Sequence, residues 1–172
     1  LLLCSIFPYY AKAEELKLAE SAQSAILIEA STGEVLFEKN VHEKKFPASM
    51  TKMMSMLIIL ESIDKGIIKW DEMVTVSANA SSMGGSQILL ETNEQMSVSD
   101  LFKGIAVASG NDAVVALAEK IAGTEDMFVD MMNKRAQELG LTNTNFKNCH
   151  GLHDANHYSS AYDISIIARE LV

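Results

Sequence analysis

Residues 50–61 limit the folds open to this 172-residue chain more than any other segment. Apolar side chains occupy nearly every position around a helix drawn through this segment: Met53, Met54, Met56, Leu57, Ile58, Ile59 and Leu60. A helix that is apolar on all sides is a buried one. The segment is shorter than the ~18 uncharged residues of a membrane span, and Lys65 with Gly66 indicates its end. The sequence therefore predicts a buried helix with other elements packed around it.

Composition and charge exclude several classes of protein. Apolar residues make up 48% of the chain and charged residues 22%, as in an ordinary globular chain of about one domain. The 14 Lys and Arg residues against 23 Asp and Glu residues give a formal net charge of −9. Phosphate binding needs a basic surface, so we expect no nucleic-acid partner.

Residues 1–13 have the pattern of a secretion signal. An apolar stretch is followed by Ala11-Lys12-Ala13, an Ala-x-Ala sequence of the kind that precedes signal cleavage. We interpret this segment as a signal-peptide remnant of an exported protein, the alternative being a frayed apolar terminus of a cytosolic protein. Cleavage there would remove Cys4, so we expect no internal disulfide in residues 14–172 and a packed thiol at Cys149.

The other segments predict short strands and helices. Residues 24–29 and 34–38 are rich in β-formers and flank a turn with Gly33, which indicates an N-terminal antiparallel hairpin. Two further extended segments are residues 74–77 and 87–90. Helical signals with polar residues at their starts cover residues 97–108, 113–122, 124–139 and 160–172. This order of strands and helices along the chain predicts an α/β protein of the α+β type.

Ser49 and Lys52 are the first candidate catalytic pair. They lie three residues apart, which places a hydroxyl and an amine on the same face of a helix. Burial on an apolar helix lowers the pKa of lysine from about 10.4, because burial disfavours the charged form. A neutral amine can take the serine proton. The serine is predicted to lie in the first turn of the helix, where free N–H groups favour developing negative charge. The pair predicts an activated serine nucleophile without histidine.

A Ser-x-x-Lys sequence has little specificity alone, since about one is expected by chance in a chain of this length. A second one is present at Ser62 and Lys65. It lies at a polar helix end before Gly66, where we expect the lysine to face solvent. Ser49 differs because Pro47 shortly precedes it and a buried helix follows it.

Ser109, Gly110 and Asn111 form the second candidate element, in the break between two predicted helices. A serine there can pass a proton to a leaving amine, and the asparagine can hydrogen-bond a substrate amide. The same pattern recurs at Ser77 and Asn79. A purely structural interpretation is a C-cap glycine followed by an N-cap asparagine. Two motifs in this order, each in a suitable setting, favour the catalytic interpretation.

The segments around both elements resemble a known enzyme family. Residues 47–52, Pro-Ala-Ser-Met-Thr-Lys, and residues 108–113, Ala-Ser-Gly-Asn-Asp-Ala, are similar to the first two motifs of the serine-type, penicillin-binding D-alanyl-D-alanine carboxypeptidases of low molecular mass. A Ser-Gly-Asn second motif resembles these enzymes more than class A β-lactamases. The similarity continues at residues 31–36, 74–77, 148–152 and 157–163.

The resemblance implies a fold, a reaction and the roles of four residues. The fold would be β-lactamase/DD-peptidase-like, with the N-terminal hairpin in an antiparallel sheet beside a helical region. Ser49 would be the nucleophile, Lys52 the general base, Ser109 the proton relay and Asn111 a substrate-binding residue. The implied substrate is a peptidoglycan stem peptide ending in D-Ala-D-Ala, with β-lactams as covalent inhibitors. No cofactor or metal is expected, and the implied location is the outer face of the cytoplasmic membrane, the periplasm or the cell wall.

One departure from the family pattern concerns the third motif, Lys-Thr-Gly or a close variant, which does not occur in the sequence. We therefore expect residues 14–172 to be the N-terminal part of a truncated catalytic domain, without the C-terminal strands and without one oxyanion-hole N–H group, the other being that of Ser49. Such a chain is expected to be inactive and to leave an apolar patch uncovered on the helix after Ser49. Membrane contact is expected only through a missing C-terminal segment.

Two alternative functions stay open on the sequence. A serine β-lactamase would need a deacylating carboxylate, and no Glu occupies a context that suggests this role. A non-catalytic cell-wall binding protein on the same fold is the alternative from another class.

Other residues have plainer interpretations. The histidines are His42, His150, His153 and His157. We expect a polar loop near the cleft and not a metal site, because no suitable Cys or carboxylate spacing accompanies them. Met127, Met131 and Met132 are predicted to fill the core at helical spacing. Gly84 and Gly85 are expected to form a turn.

Overall fold

The computed structural model describes residues 18–172, so the predicted signal remnant at residues 1–13 lies outside the described residues, as does Cys4. Within residues 18–172, helices and two small antiparallel sheets surround a shared core. None of the helices in this range has the length and apolar character needed to cross a bilayer. The predicted α+β class is confirmed.

The N-terminal hairpin is present as predicted. Strand β1, Ala25–Ile28, pairs antiparallel with strand β2, Val35–Lys39. Leu27 lies opposite Phe37, and the register shifts immediately after this pair. Gly33 in the connecting turn has a φ of +77°, a conformation that glycine adopts without steric cost.

A second two-stranded sheet corrects one predicted strand. Its members are β3, Met73–Thr75, and β4, Gln95–Ser97. Residues 87–90 do not form a strand. The backbone N–H groups of Ile88 and Leu90 donate to the carboxylate of Asp112 at 3.0–3.1 Å. A side chain from a distant helix satisfies these groups, so they pair with no neighbouring strand.

The predicted helices are all present, with one changed start. The helices of residues 18–172 are α1, Thr51–Asp64; α2, Ala78–Ser81; α3, Val98–Ala108; α4, Asn111–Ala122; α5, Glu125–Glu138; and α6, Ala161–Glu170. Ser97, Thr124 and Ser160 cap α3, α5 and α6 by accepting a backbone N–H three residues on. The N-cap of α4 is Gly110, and Asn111 is the first helical residue. The interpretation of Asn111 as an N-cap is therefore wrong.

Helix α1 is buried by its neighbours. It packs against α3, α4, α5 and α6, and Leu57, Ile58 and Ile59 are all buried. The prediction of a buried helix is confirmed, whereas the predicted uncovered patch is limited to Met50, which immediately precedes the helix and lines the cavity described next.

A cavity of about 760 Å³ is lined by residues of both the hairpin and α6. Its walls include Ile26 and Ile28 of β1 and Ile164 and Ala168 of α6. Because the hairpin has only two strands, these apolar side chains have no further layer over them within residues 18–172.

The methionines of α5 have different environments. Met132 is fully buried in the core, and Met131 is partly buried against it. Met127 is 58% exposed, so the prediction that it fills the core is wrong. It lies in the first turn of α5, on the side away from the core.

We predict unequal costs for removing two of these side chains. Met132→Ala should lower the free energy of unfolding by about 2–5 kcal/mol, because it leaves a cavity in the core. Met127→Ala, the same substitution in the same helix, should change the free energy of unfolding by less than about 0.5 kcal/mol. Urea denaturation followed by circular dichroism measures both, and equal losses would contradict the difference in burial.

Candidate active site

Ser49 lies in a single turn of 3-10 helix, Ala48–Met50, that runs directly into α1. Its side chain is exposed. Lys52 follows in the first turn of α1 and is only 3% exposed. The serine therefore lies just before the α-helix, and not in its first turn as predicted, yet on the same side as the lysine. An accessible hydroxyl is placed beside a buried amine.

The amine of Lys52 has two polar contacts. Its Nζ lies 3.5 Å from Oγ of Ser49 and donates to the backbone carbonyl of His150 at 2.8 Å. Burial lowers the pKa of Lys52 from its ordinary value, because desolvation disfavours the ammonium form. An amine with a lowered pKa next to a serine hydroxyl can accept the hydroxyl proton.

The loop between α5 and α6 forms the wall behind this pair. Ser55 of α1 donates to the carbonyl oxygen of Cys149 at 2.6 Å, which joins the loop to the helix. Gly151 has a φ of +91°, and a Cβ on it would overlap the carbonyl oxygen of Ala48. The turn that carries Ser49 thus rests against a backbone position where only glycine fits.

His157 stiffens the same wall. Its Nε2 lies 2.7 Å from Oγ1 of Thr51, and the backbone N–H of Lys147 donates to its Nδ1 at 3.1 Å. A neutral ring that accepts at Nδ1 carries its proton on Nε2, so His157 donates to Thr51. Burial lowers the pKa of His157 to about 4, which keeps the ring neutral at pH 7. Residues 18–172 contain no group of three side chains arranged to hold a metal ion.

Ser109 ends α3 in the left-handed backbone conformation, with a φ of 56°. The purely structural interpretation gave this conformation to Gly110, whose φ is −60°, so that interpretation is wrong. Residues other than glycine adopt this conformation at a cost, and they cluster at functional sites. Within residues 18–172 the buried Oγ of Ser109 has no hydrogen-bond partner. The hydrogen-bonding capacity of this hydroxyl is therefore unused among the described residues.

Asn111 is held against the segment of residues 84–90. Its backbone N–H donates to the carbonyl of Ser86 and its Nδ2 to the carbonyl of Gly84, both at 2.7 Å. Its buried Oδ1 has no partner in the part of the chain that the structure describes. One amide atom is thus fixed, and the other makes no hydrogen bond.

Asp112 fixes the segment that holds Asn111. It is 1% exposed, and its carboxylate accepts the backbone N–H groups of Ile88, Leu90 and Ala113 at 2.9–3.1 Å. A buried carboxylate needs such donors, because an unpaired one would be costly. Asp112 therefore connects residues 84–90 to the start of α4.

The two candidate elements lie on neighbouring walls. Among the described residues, no hydrogen bond joins Ser109 or Asn111 to Ser49 or Lys52. The walls meet at Gly85, where an added Cβ would lie 2.8 Å from Nδ2 of Asn111 and 3.5 Å from Cδ2 of Leu152. Leu152 belongs to the loop between α5 and α6 that binds Lys52, so both elements border the same region.

The second copies of the two motifs, at Ser62 and Lys65 and at Ser77 and Asn79, do not lie in a comparable environment. Ser62 is buried, and its hydroxyl donates to the carbonyl of Ile58 within α1 at 2.7 Å. Lys65 is exposed and pairs with Glu61 at 3.3 Å. Ser77 accepts a backbone N–H as the N-cap of α2. These hydroxyls are used within their own helices.

Sequence reasoning missed the parts of the site that consist of contacts between distant residues. The carbonyl of His150, the bond between His157 and Thr51, and the carboxylate bonds of Asp112 were not predicted. The only sequence signal for them was the likeness of residues 148–152 and 157–163 to the family. It marked the segments without saying what they contact.

Comparison with known proteins decides the family. The sequence matches the D-alanyl-D-alanine carboxypeptidase family over residues 11–172. The chain belongs to this family. The resemblance carried by the two motifs is thereby confirmed.

Curated relatives are longer than this chain. D-alanyl-D-alanine carboxypeptidase DacF of Bacillus subtilis (strain 168) is 58% identical over 156 residues, which cover 91% of this chain and 40% of that protein. DacA of Haemophilus influenzae is 42% identical over 155 residues, which cover 88% of this chain and 39% of that protein. The chain thus spans about two fifths of the length of these relatives.

Solved structures of the family share this fold. Penicillin binding protein 5 from Haemophilus influenzae matches with a TM-score of 0.84 and 42% identity, over 87% of this chain and 44% of that one. DacD from Francisella tularensis matches with a TM-score of 0.84 and 40% identity, over 86% and 36%. Penicillin-Binding Protein D2 from Listeria monocytogenes, in an ampicillin-bound form, matches with a TM-score of 0.77 and 27% identity, over 88% and 61%. The predicted DD-peptidase-like fold is confirmed.

Gly151 and Gly140 give a matched test of the wall. Both have positive φ, but an added Cβ at Gly140 meets nothing within 4 Å. Gly140→Ala should cost about 1–2 kcal/mol of stability from backbone strain alone. Gly151→Ala should cost more and should displace the turn that carries Ser49. Chemical denaturation measures the stabilities, and equal losses in the two variants would show that the contact with Ala48 is unimportant.

Proposed function

We propose that this chain carries the nucleophile half of an exported serine D-Ala-D-Ala carboxypeptidase. The observation that carries the proposal is the pairing of the exposed Ser49 with the buried amine of Lys52, whose pKa is lowered. The unpartnered hydroxyl of Ser109 and the unpartnered oxygen of Asn111 add two groups suited to a peptide substrate. Family membership supports the same reaction.

The proposed reaction is acyl transfer through the serine. Ser49 Oγ attacks the carbonyl of the penultimate D-Ala, and neutral Lys52 accepts the hydroxyl proton. The N-terminus of α1 favours the negative charge that forms on the carbonyl oxygen. Ser109 relays a proton to the departing D-Ala, and Asn111 holds the substrate amide. Water then hydrolyses the ester between Ser49 and the stem peptide.

The proposed substrate is a peptidoglycan stem peptide ending in D-Ala-D-Ala. β-Lactams would acylate the same serine as slowly released substitutes, in line with the ampicillin-bound form of the Listeria protein that shares the fold. Each step uses a side chain or backbone group of the protein, so the reaction needs no cofactor or metal. A peptidoglycan substrate places the enzyme outside the cytoplasmic membrane.

We also propose that residues 14–172 are the N-terminal part of the catalytic domain, with membrane contact only through a further C-terminal segment. The coverage of about two fifths of the relatives supports this division. The apolar cavity between β1 and α6 supports it as well, since a third strand or another layer there would bury it.

A combined assay on the intact protein separates the candidate functions. Fluorescent penicillin reports acylation, and release of D-Ala from a D-Ala-D-Ala peptide reports carboxypeptidase turnover. We expect both signals. Rapid release of the hydrolysed penicillin without D-Ala release would identify a β-lactamase, and binding of peptidoglycan with neither signal would identify a non-catalytic protein.

We predict that penicillin labels Ser49 and not Ser62. Mass spectrometry of the digested adduct should find the added mass on the peptide that contains Ser49. Ser49→Ala should abolish labelling, because among residues 18–172 Ser49 has the only hydroxyl that is hydrogen-bonded to the Lys52 amine. Ser62→Ala is the matched control and should label at the wild-type rate. Labelling retained in Ser49→Ala would refute the assignment.

We predict that Lys52→Arg acylates at least about 100-fold more slowly than the wild type, because arginine cannot release its proton at working pH. The wild-type acylation rate should rise with pH as Lys52 loses its proton, and the lowered pKa brings this rise towards neutrality. Stopped-flow acylation across a pH series measures both effects. An arginine variant with the wild-type rate would show that Lys52 acts only through its charge.

A further inference from the structure

Glu125 belongs to none of the motifs, and the sequence assigned it only to the start of α5. Its carboxylate nevertheless contacts the loop behind Lys52. The Oε1 atom of Glu125 accepts the backbone N–H of Cys149 at 3.1 Å. Nε2 of His150 lies 3.4 Å from the same oxygen. One side-chain atom of α5 is therefore in contact with two consecutive residues of the loop.

The imidazole of His150 carries its proton on the ring nitrogen that lies 3.4 Å from this oxygen. The backbone N–H of Leu152 donates to Nδ1 of His150 at 3.1 Å, so a neutral ring carries its proton on Nε2. Burial lowers the pKa of His150, which favours the neutral ring at pH 7. Glu125 thus faces two N–H groups, one from the backbone of Cys149 and one from the ring of His150.

The backbone of Cys149 is held on both sides. Its N–H donates to Glu125, and its carbonyl accepts the hydroxyl of Ser55 at 2.6 Å. The next carbonyl along the chain is that of His150, which receives the amine of Lys52 at 2.8 Å. The direction of that carbonyl depends on how the preceding peptide group is held.

We infer that Glu125 is a positioning residue for Lys52, acting through the peptide groups of Cys149 and His150. The inference rests on the proposed function of Lys52 as general base. Glu125 touches no reacting atom. It fixes the carbonyl that holds the amine, and the amine is thereby kept 3.5 Å from the hydroxyl of Ser49. Loss of this anchor leaves the buried N–H of Cys149 unpaired and lets the carbonyl turn.

The test compares three variants of the intact protein. Glu125→Ala removes the acceptor, Glu125→Gln keeps an acceptor oxygen without the charge, and Asp126→Ala removes the neighbouring exposed acid of the same helical turn. Stopped-flow acylation by a fluorescent penicillin separates the rate constant of the chemical step from the preceding binding constant. Hydrogen exchange of the Cys149 amide measures the contact independently of chemistry, and thermal unfolding reports the fold.

We expect Glu125→Ala to lower the acylation rate constant by about tenfold or more, since small displacements of a catalytic group carry costs of this size. The binding constant should be unchanged. Glu125→Gln should stay within about threefold of the wild type, and Asp126→Ala within about twofold. The Cys149 amide should exchange faster in Glu125→Ala and at the wild-type rate in Glu125→Gln.

Other results overturn the inference. Glu125→Ala acylating at the wild-type rate would show that the anchor does not position Lys52, while the proposed function would stand. Equal losses in the Ala and Gln variants would show that the accepted hydrogen bonds are not what matters. A wild-type protein that is not acylated by penicillin would instead refute the proposed function, and the exchange of the Cys149 amide would still report whether Glu125 holds the loop.

Discussion

The amine of Lys52 is buried in an apolar interior, where its charged form is costly, and it is held there by the backbone carbonyl of His150. Much of the structure around it serves this contact. Helix α1 must be apolar on nearly all sides to bury the amine, and the loop between α5 and α6 must lie close enough to offer the carbonyl. The missing side chain at Gly151 is what permits that approach.

The burial of Lys52 also explains why Ser49 and Lys52 differ in their exposure to solvent. In the proposed reaction Ser49 meets the substrate and is exposed, whereas Lys52 accepts the serine proton and is hidden. A short 3-10 turn before α1 makes both possible within four residues, because it keeps the two side chains on one side while the chain passes from surface to core. A neutral histidine, His157, supports the turn through Thr51 without adding a charge that would disturb the amine.

Local features of the sequence were sufficient to predict the hairpin, the spacing of Ser49 and Lys52, and every helix of residues 18–172 except α2. Helix periodicity, capping residues and turn glycines act over a few positions, so they can be read directly. The strand predicted at residues 87–90 failed because its backbone N–H groups bond to Asp112, more than twenty residues away. The contact between Lys52 and His150 spans 98 residues and uses a carbonyl that every residue type possesses. No residue identity could have revealed it.

Asp112 has a consequence for how such a site can change. Its carboxylate accepts hydrogen bonds from the main-chain N–H groups of residues 88 and 90, so these bonds do not depend directly on the side chains at those positions. Leu89 between them is 79% exposed and takes no part in these bonds. The side chains of Ile88 and Leu90 pack in or against the core, so these two positions are constrained by packing. The exposed position 89 can therefore carry other side chains while the hydrogen bonds that hold Asn111 in place remain.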